Sequence, residues 1–521
     1  MLIGSTSELG SLAGKRWPVV IIGGGTVGLY AAHELAKRGI ASLMVECGGQ
    51  ALADFPQEGY ASVGKDHQGI RLGRARNIGG TSNLWGGQLV EFQPADFSGR
   101  SWIKDSKWPV GYDEISPYFE RTYQNLGIDK RFQTDTDVFD AVNMRDCRFS
   151  EGLELFLTRW LKQPSFSTFY AKEIESSELI TVLLNHTVVG FGGAGSRINS
   201  VKAIGPTGAK LSITGDRFIL AAGTIEICRL LLHAADDAGW DCPWRGNQNV
   251  GLFFQDHPTG RVATVDVLDR RRFFDTFSTI VWAGQKFQPK LRLTNEALLQ
   301  PPTINIHAMM VFESSIGENL VYLKQFLKAA VYKRKLSGAG DLLRNLRACR
   351  RQLLPLAWMY LVQNRILVPG NSKISLAIQC EQIPLAESRI TLDPKQKGEN
   401  GLPKVLLDWR LAGDELGPIR DFVMRCDRAL RDIGLARLNI LADLASGNPQ
   451  FLDTLRDNYH QVGGARMGES ANDGVVDKDL RVFGTENLYV VGAATFRTSS
   501  NANTAFTALA FVSRLVERLR R

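Results

Sequence analysis

Histidine and cysteine are both scarce here, with seven of each in 521 residues. The cysteines, at 47, 147, 228, 242, 349, 380 and 426, are scattered, odd in number and free of any C-x-x-C pair. That argues for reduced thiols in a cytoplasmic compartment and against a disulfide framework or a structural metal. Also missing near the start is the basic, then apolar, then small-residue order of a secretory leader, because residues 1–16 are polar and glycine-rich. There is no internal repeat and no low-complexity linker, which predicts domains that share one compact body.

What is present is ordinary for an enzyme: 44% apolar and 22% charged residues, enough for a sizeable core and more chain than one core usually holds. The formal charge of +8 is uneven, since residues 324–365 carry ten Lys/Arg against one Asp. Elsewhere the signs nearly cancel, so a nucleic-acid partner is not expected.

Residues 18–46, PVVIIGGGTVGLYAAHELAKRGIASLMVE, run from an apolar strand into a glycine turn, a helix with Ala32, Leu35 and Gly39 at helical spacing, and a second strand that ends on Glu46. In such a unit Gly23 permits the tight turn, and Gly25 lets a pyrophosphate reach backbone N–H groups at a helix start, beside Thr26 and Val27. Gly28 lets the helix close on the sheet. An acid at the second strand's end accepts from ribose hydroxyls and repels a 2′-phosphate, which favours FAD or NAD. A second glycine loop, RNIGGTSNLWGG at 76–87, suits close backbone approach to a flat ring or a phosphate. Further strand-and-glycine elements, DRFILAAGTIE at 216–226 and NLYVVGAAT at 487–495, fit one extended cofactor threaded through a discontinuous domain.

In this order, with WPVGYDEISPYFER at 108–121, NVGLFFQDHP at 249–258 and HQVGGARMG at 460–468, these blocks resemble the glucose-methanol-choline (GMC) oxidoreductases, a family of FAD enzymes, nearest their pyranose-oxidase-like branch. The resemblance spans nearly the whole chain. It implies an α/β fold with a Rossmann-like FAD-binding domain (1–95, 175–258 and 455–521). A substrate domain built on an antiparallel sheet is interleaved with it (96–174 and 259–454). It implies FAD contacts at Gly23, Gly25, Thr26, Val27, Gly28 and Glu46; at Arg76, Gly79, Gly80, Thr81, Ser82, Asn83, Trp85 and Gly86; and at Val188, Ala222, Gly223, Gly492, Ala493, Asn503 and Thr504. It implies catalysis by His460, with Asn503 as the partner group.

The chain also departs from the family pattern. Leu84 stands before Trp85 where pyranose oxidases carry a flavin-linked histidine, so FAD is expected without a covalent bond. Asn503-Thr504 replaces Asn-Pro and frees an N–H. Phe496-Arg497-Thr498 replaces Phe-Pro-Thr. Gly492 stands where many relatives have an acid, so that acidic contact is not expected.

The resemblance implies alcohol oxidation, most naturally of a sugar, glycoside or polyol hydroxyl. A neutral His460 takes the hydroxyl proton and the Asn503 amide donates to the same oxygen. Asn503 also reads as a helix N-cap before TAFTALAFV. His257, in QDHP, reads as structural, in a strand-entry turn under the cofactor. The expected electron acceptor is O2 or a quinone. Two other readings stay open: a redox-neutral lyase of the same fold, and a non-catalytic FAD-binding subunit held at a membrane.

Helices are predicted at 114–126, near 414–434 and from Asn503 to Leu519, and roof strands at TGRVATVDVL, TINIHAMMVF, KISLAIQCEQ and KVLLDW. Residues 320–368 join basic and apolar residues in amphipathic helical fashion, with no apolar run near the ~20 residues that cross a bilayer. They read as a solvated hairpin on the roof, or as a peripheral contact with the inner membrane surface or a docked partner.

Overall fold

A computed structural model of the chain describes residues 2–3, 14–144, 149–237, 239–313, 358, 364–366, 368 and 372–519. The basic stretch expected to form amphipathic helices at 320–368 lies almost wholly outside the described residues.

The apolar segment Arg16–Ile22 forms the centre of an eight-stranded sheet, with Val19 to Ile22 all buried, as a strand covered on both faces requires. Parallel to it run Ser42–Val45 on one side and Lys210–Leu220 on the other. Ile180–Leu183 and Leu2–Ile3 extend the first side, and Leu488–Val490 lies beside Lys210–Leu220. Thr187–Ala194 and Arg197–Ile204 close the far edge as an antiparallel meander. Helix Thr26–Ala36 leaves the turn after the central strand. It packs on the C-terminal helix Thr504–Arg518, where the Tyr30 hydroxyl meets Ser513 Oγ at 2.9 Å.

The second sheet also has eight strands, all antiparallel. Its order is Ala436–Ile440, Thr259–Val267, Lys373–Cys380, Ile306–Glu313, Gln285–Leu293, Leu153–Trp160 and Gln88–Leu89, with Ile280–Trp282 beside Gln285–Leu293. Its two faces separate by the strand's period of two. Leu291, Leu293, Ile306, Ala308, Leu376 and Ile378 join one core with Ile419, Phe422 and Val423 of helix Leu416–Asp432. Gln288, Lys290, Met309 and Gln379, from the alternate positions, face the first sheet across a cavity.

Three of the four stretches read as roof strands lie in this sheet. KVLLDW does not. Pro403–Asp408 pairs antiparallel with Arg389–Lys397 and parallel with Tyr60–Ser62 in a separate three-stranded sheet. Its buried Val405, Leu407 and Trp409 pack on Ile225 and Cys228 of helix Thr224–Asp236. Alternation marks a strand and one buried face, but it carries no information on which sheet accepts it. Among the described residues no helix is long and apolar enough to cross a membrane.

Candidate active site

A cavity of about 1280 Å³ lies between the two sheets. Its floor is the glycine turn. Gly24 N–H donates to Glu46 Oε2 at 2.7 Å and Gly48 N–H to Oε1 at 2.8 Å, so the acid braces the turn before any ligand arrives. Burial pushes the Glu46 carboxyl up, and those backbone donors oppose the rise. The two glycine loops are joined, since Gly79 N–H donates to Gly24 O at 2.8 Å.

The two central glycines of the fingerprint serve different purposes. A Cβ on Gly28 would sit 2.0 Å from Gly23 O, so helix and strand can approach only because it is absent. A Cβ on Gly25 would meet nothing closer than Gly80 Cα at 4.0 Å and would stand in the cavity instead. The protein therefore needs Gly28 for its own packing, and Gly25 leaves open a place for something else. Together with the N–H groups at the start of helix Thr26–Ala36, this floor fits a dinucleotide.

Of the positions expected at the cofactor, Gly23, Gly25, Thr26, Val27, Glu46, Arg76, Gly80, Thr81, Ser82, Trp85 and Gly86 line this cavity. So do Val188, Ala222, Gly223, Gly492, Ala493, Asn503 and Thr504. Gly28, Gly79 and Asn83 do not. Asn83 binds its own loop instead: its amide donates to Ile78 O at 2.9 Å, and its Oδ1 accepts from Ser165 and Ser167.

His460 lines the same cavity from the other end. Gln255 and Val462 exchange both backbone hydrogen bonds of an antiparallel bridge, and two residues further along that register His257 faces His460. Gly463 follows with φ +79° and Phe253 O only 2.0 Å from where a Cβ would lie, so the chain can run along this bridge only with glycine there.

The rings meet Nδ1 to Nδ1 at 2.8 Å. One proton must lie between them, and the outer contacts decide whose it is. His257 Nε2 lies 2.9 Å from Ser499 O, a pure acceptor, so Nε2 carries the His257 proton and His257 Nδ1 is a lone pair. His460 Nδ1–H therefore donates to His257, and His460 Nε2 is left as a lone pair. Asn503 Nδ2 donates to it at 3.0 Å. Asn503 occupies the N-cap position of the last helix, but its side chain makes no capping bond. Its Oδ1 is buried without a partner, so the amide serves the cavity and not the helix.

Asp256 supports this arrangement from behind. Its Oδ1 accepts backbone N–H groups of His257 (2.7 Å), Asn458 (3.0 Å) and His460 (3.0 Å), and its Oδ2 meets His67 Nε2 at 3.0 Å. Burial would raise its carboxyl, but the bond and charge of His67 bring it below the ordinary range. Burial lowers His257, and burial with the neighbouring His257 draws His460 down to about 3, so both enter the site neutral. The sequence pattern of QDHP marked a turn and gave no sign that Asp256 and His257 face His460. Gln379, which donates to Asn501 O at 2.7 Å and reaches His257 Nδ1 at 3.1 Å, was equally hidden.

A parallel-sheet dinucleotide floor under an antiparallel roof, with a neutral imidazole and an amide converging between them, defines a flavin-dependent oxidoreductase acting on CH–OH donors. Comparison with known proteins agrees. Residues 384–511 match the model of the GMC oxidoreductase family and residues 16–55 that of an FAD binding domain. The chain is 26% identical to 2-methyl-1,2-propanediol dehydrogenase of Mycolicibacterium austroafricanum, over 82% of this chain and 77% of that one. It is 20% identical to the fructose dehydrogenase large subunit of Gluconobacter japonicus, over 96% and 97%. It is 29% identical to paromamine 6'-oxidase of Streptomyces fradiae, but only over 22% of this chain and 24% of that protein's length. Pyridoxine 4-oxidase from Mesorbium loti has the same fold at 16% identity, with a TM-score of 0.59 and coverage of 96% and 99%. A formate oxidase does so at 0.57 and 16%, covering 97% and 98%. Residues 384–511 thus carry the GMC oxidoreductase match and residues 16–55 the FAD-binding match, and the chain is similar over most of its length to enzymes named as dehydrogenases.

Proposed function

We propose that the enzyme oxidises a primary or secondary hydroxyl of a sugar, glycoside or polyol to an aldehyde or ketone, with His460 as general base and Asn503 as the group that orients the reacting oxygen. The observation that carries this reading is the lone pair on His460 Nε2, turned to the cavity by the proton chain Ser499–His257–His460 and met there by the Asn503 amide. A substrate hydroxyl entering between Nε2 and the Asn503 amide gives its proton to the first and accepts a hydrogen bond from the second. The imidazolium so formed keeps its Nδ1–H on His257 and lies near the Asp256 charge, which raises its basicity. FAD, when bound, supplies the acceptor for the hydride that leaves the carbinol carbon. Geometry of this kind contributes about 10²–10⁴ in rate.

Several features support the finer parts of the reading. Gln88 and Gln288 line the cavity from the roof and offer amide groups to a polyhydroxylated substrate. The relatives named for a diol and for fructose favour the same class. Asn503 supports the pyranose-oxidase-like branch, and Leu84, which lines the cavity, supports FAD held without a covalent bond. The two sheets support a division into an FAD domain and a substrate domain, although Gln88–Leu89 of the segment 1–95 pairs in the second sheet and Tyr60–Ser62 pairs with Pro403–Asp408. Five described cysteines, all free, support a reducing compartment.

An anaerobic stopped-flow screen of sugars, glycosides, polyols and aryl alcohols tests the proposal. Bleaching of bound flavin by a hydroxylated substrate supports it. Flavin that stays oxidised across the panel would favour the redox-neutral lyase reading. Admission of air or a quinone to the bleached enzyme then identifies the electron acceptor.

A further inference from the structure

Lys290 stands on the cavity face of strand Gln285–Leu293, yet none of the steps above uses it. Its side chain is buried, at 2% exposure, and its Nζ lies 3.0 Å from Nε2 of His307, itself fully buried on the adjacent strand. Among the described residues Lys290 makes no ion pair. Burial alone acts on its amine, and the buried carboxylates around the site are committed elsewhere. Glu381 holds both arms of Arg100 at 2.7 and 2.5 Å. Asp96 accepts from Asn305 and Ser500, and Asp256 from three backbone N–H groups and His67. The remaining titratable neighbours are the imidazoles of His257, His307 and His460, and burial lowers all three.

His307 is therefore an acceptor for one Nζ–H, and it brings no negative charge. Two N–H groups of Nζ remain for the cavity. Burial alone draws the amine down to about 7, the condition of a cation kept without a counter-ion. For stability an apolar side chain would serve this position better, because an unpaired buried charge is costly. The charge is balanced if the ligand brings the anion.

We propose that Lys290, seated on His307, binds an anionic oxygen group of the substrate, a carboxylate or a phosphate carried on a carbon other than the one oxidised. This rests on the carbinol-oxidation reading and narrows its substrate class to hydroxylated acids or phosphorylated polyols. Gln288, two residues before Lys290 on the same strand face, is then left for a neutral hydroxyl.

Matched probes test it on the flavin-loaded enzyme: D-gluconate against D-glucitol for the carboxylate, and glycerol 3-phosphate against glycerol for the phosphate. In anaerobic stopped-flow mixing, the first change in the flavin's visible spectrum reads binding, and later bleaching reads oxidation. At least one acid is expected to bind tenfold or more tightly than its neutral partner. Lys290→Met should equalise that pair with flavin content unchanged, and Lys290→Arg should keep the preference. Equal binding within both pairs by the parent enzyme overturns the proposal whatever the variants do, as does a preference that survives in Lys290→Met. Bleaching by neutral probes without any acid preference overturns the anion site and leaves carbinol oxidation standing. Acid preference without bleaching by any probe keeps the anion site and counts against carbinol oxidation.

Discussion

His257 and His460 share one proton between their Nδ1 atoms at 2.8 Å, across 203 residues of sequence. The ring that never reaches the cavity thereby sets the protonation pattern of the ring that does. Four predictions rest on this pair and on the glycine floor beneath it.

His460→Ala should bind flavin as the parent does, because His460 braces no part of the glycine floor. Its rate of flavin reduction by substrate should fall by about 10²–10⁴. Asn503→Ala removes a donor to the developing alkoxide and should cost on the order of 10². Anaerobic reduction kinetics measure both, and parent-like rates in His460→Ala would sink the catalytic assignment.

His257→Phe should lower kcat by on the order of 10² while KM changes little, since His257 lines no part of the cavity and acts only through the tautomer of its neighbour. A rise in KM with kcat preserved would mean that the ring shapes the pocket and does not set the proton. Steady-state kinetics with the best substrate from the screen separate the two.

The paired glycines should fail in different ways. Gly28→Ala forces a Cβ to within 2.0 Å of Gly23 O, so it should lower the melting temperature and the yield of folded protein. Gly25→Ala meets only open cavity, so it should fold with a parent-like melting temperature in the flavin-free state and lose flavin affinity. Thermal melts with and without added FAD, together with the flavin-to-protein ratio, show the contrast.

Stability should decline as pH falls below about 6.5. His460 is lowered from 6.5 to about 3 in the folded protein, so between those values the unfolded chain binds the extra proton. The stability is complete above 6.5 and is lost toward 3, at up to about 1.4 kcal/mol per pH unit for each such group. His257 and His307, lowered in the same direction, add to the slope. The depressed Asp256 carboxyl contributes only at more acid pH, below its ordinary 3.8. Melting temperatures from pH 8 to pH 4 should fall across this window, and His257→Phe should flatten the curve.

The dinucleotide floor was legible because its logic is local. Strand, turn, helix and acid occur within residues 18–46, and each glycine's purpose follows from its distance to the next element. Helices Tyr112–Asn125 and Leu416–Asp432 were legible for a similar reason, since their apolar spacing declares a face. The sheet of KVLLDW was not. Its buried side chains suit any apolar partner, and only the approach of helix Thr224–Asp236 decides which one covers them.

By itself, then, the order of residues determined the nucleotide cradle, while the two-sheet class of fold and the choice of His460 and Asn503 came from the family resemblance that its motifs carry. Tertiary structure alone decided that Gln255 bridges Val462, which sets His257 against His460, and that Lys290 meets His307 and, among the described residues, no carboxylate. The reason is physical: a proton's owner and a charge's partner depend on a few tenths of an ångström between strands far apart in the chain. Spacing along the chain carries no measure of that distance.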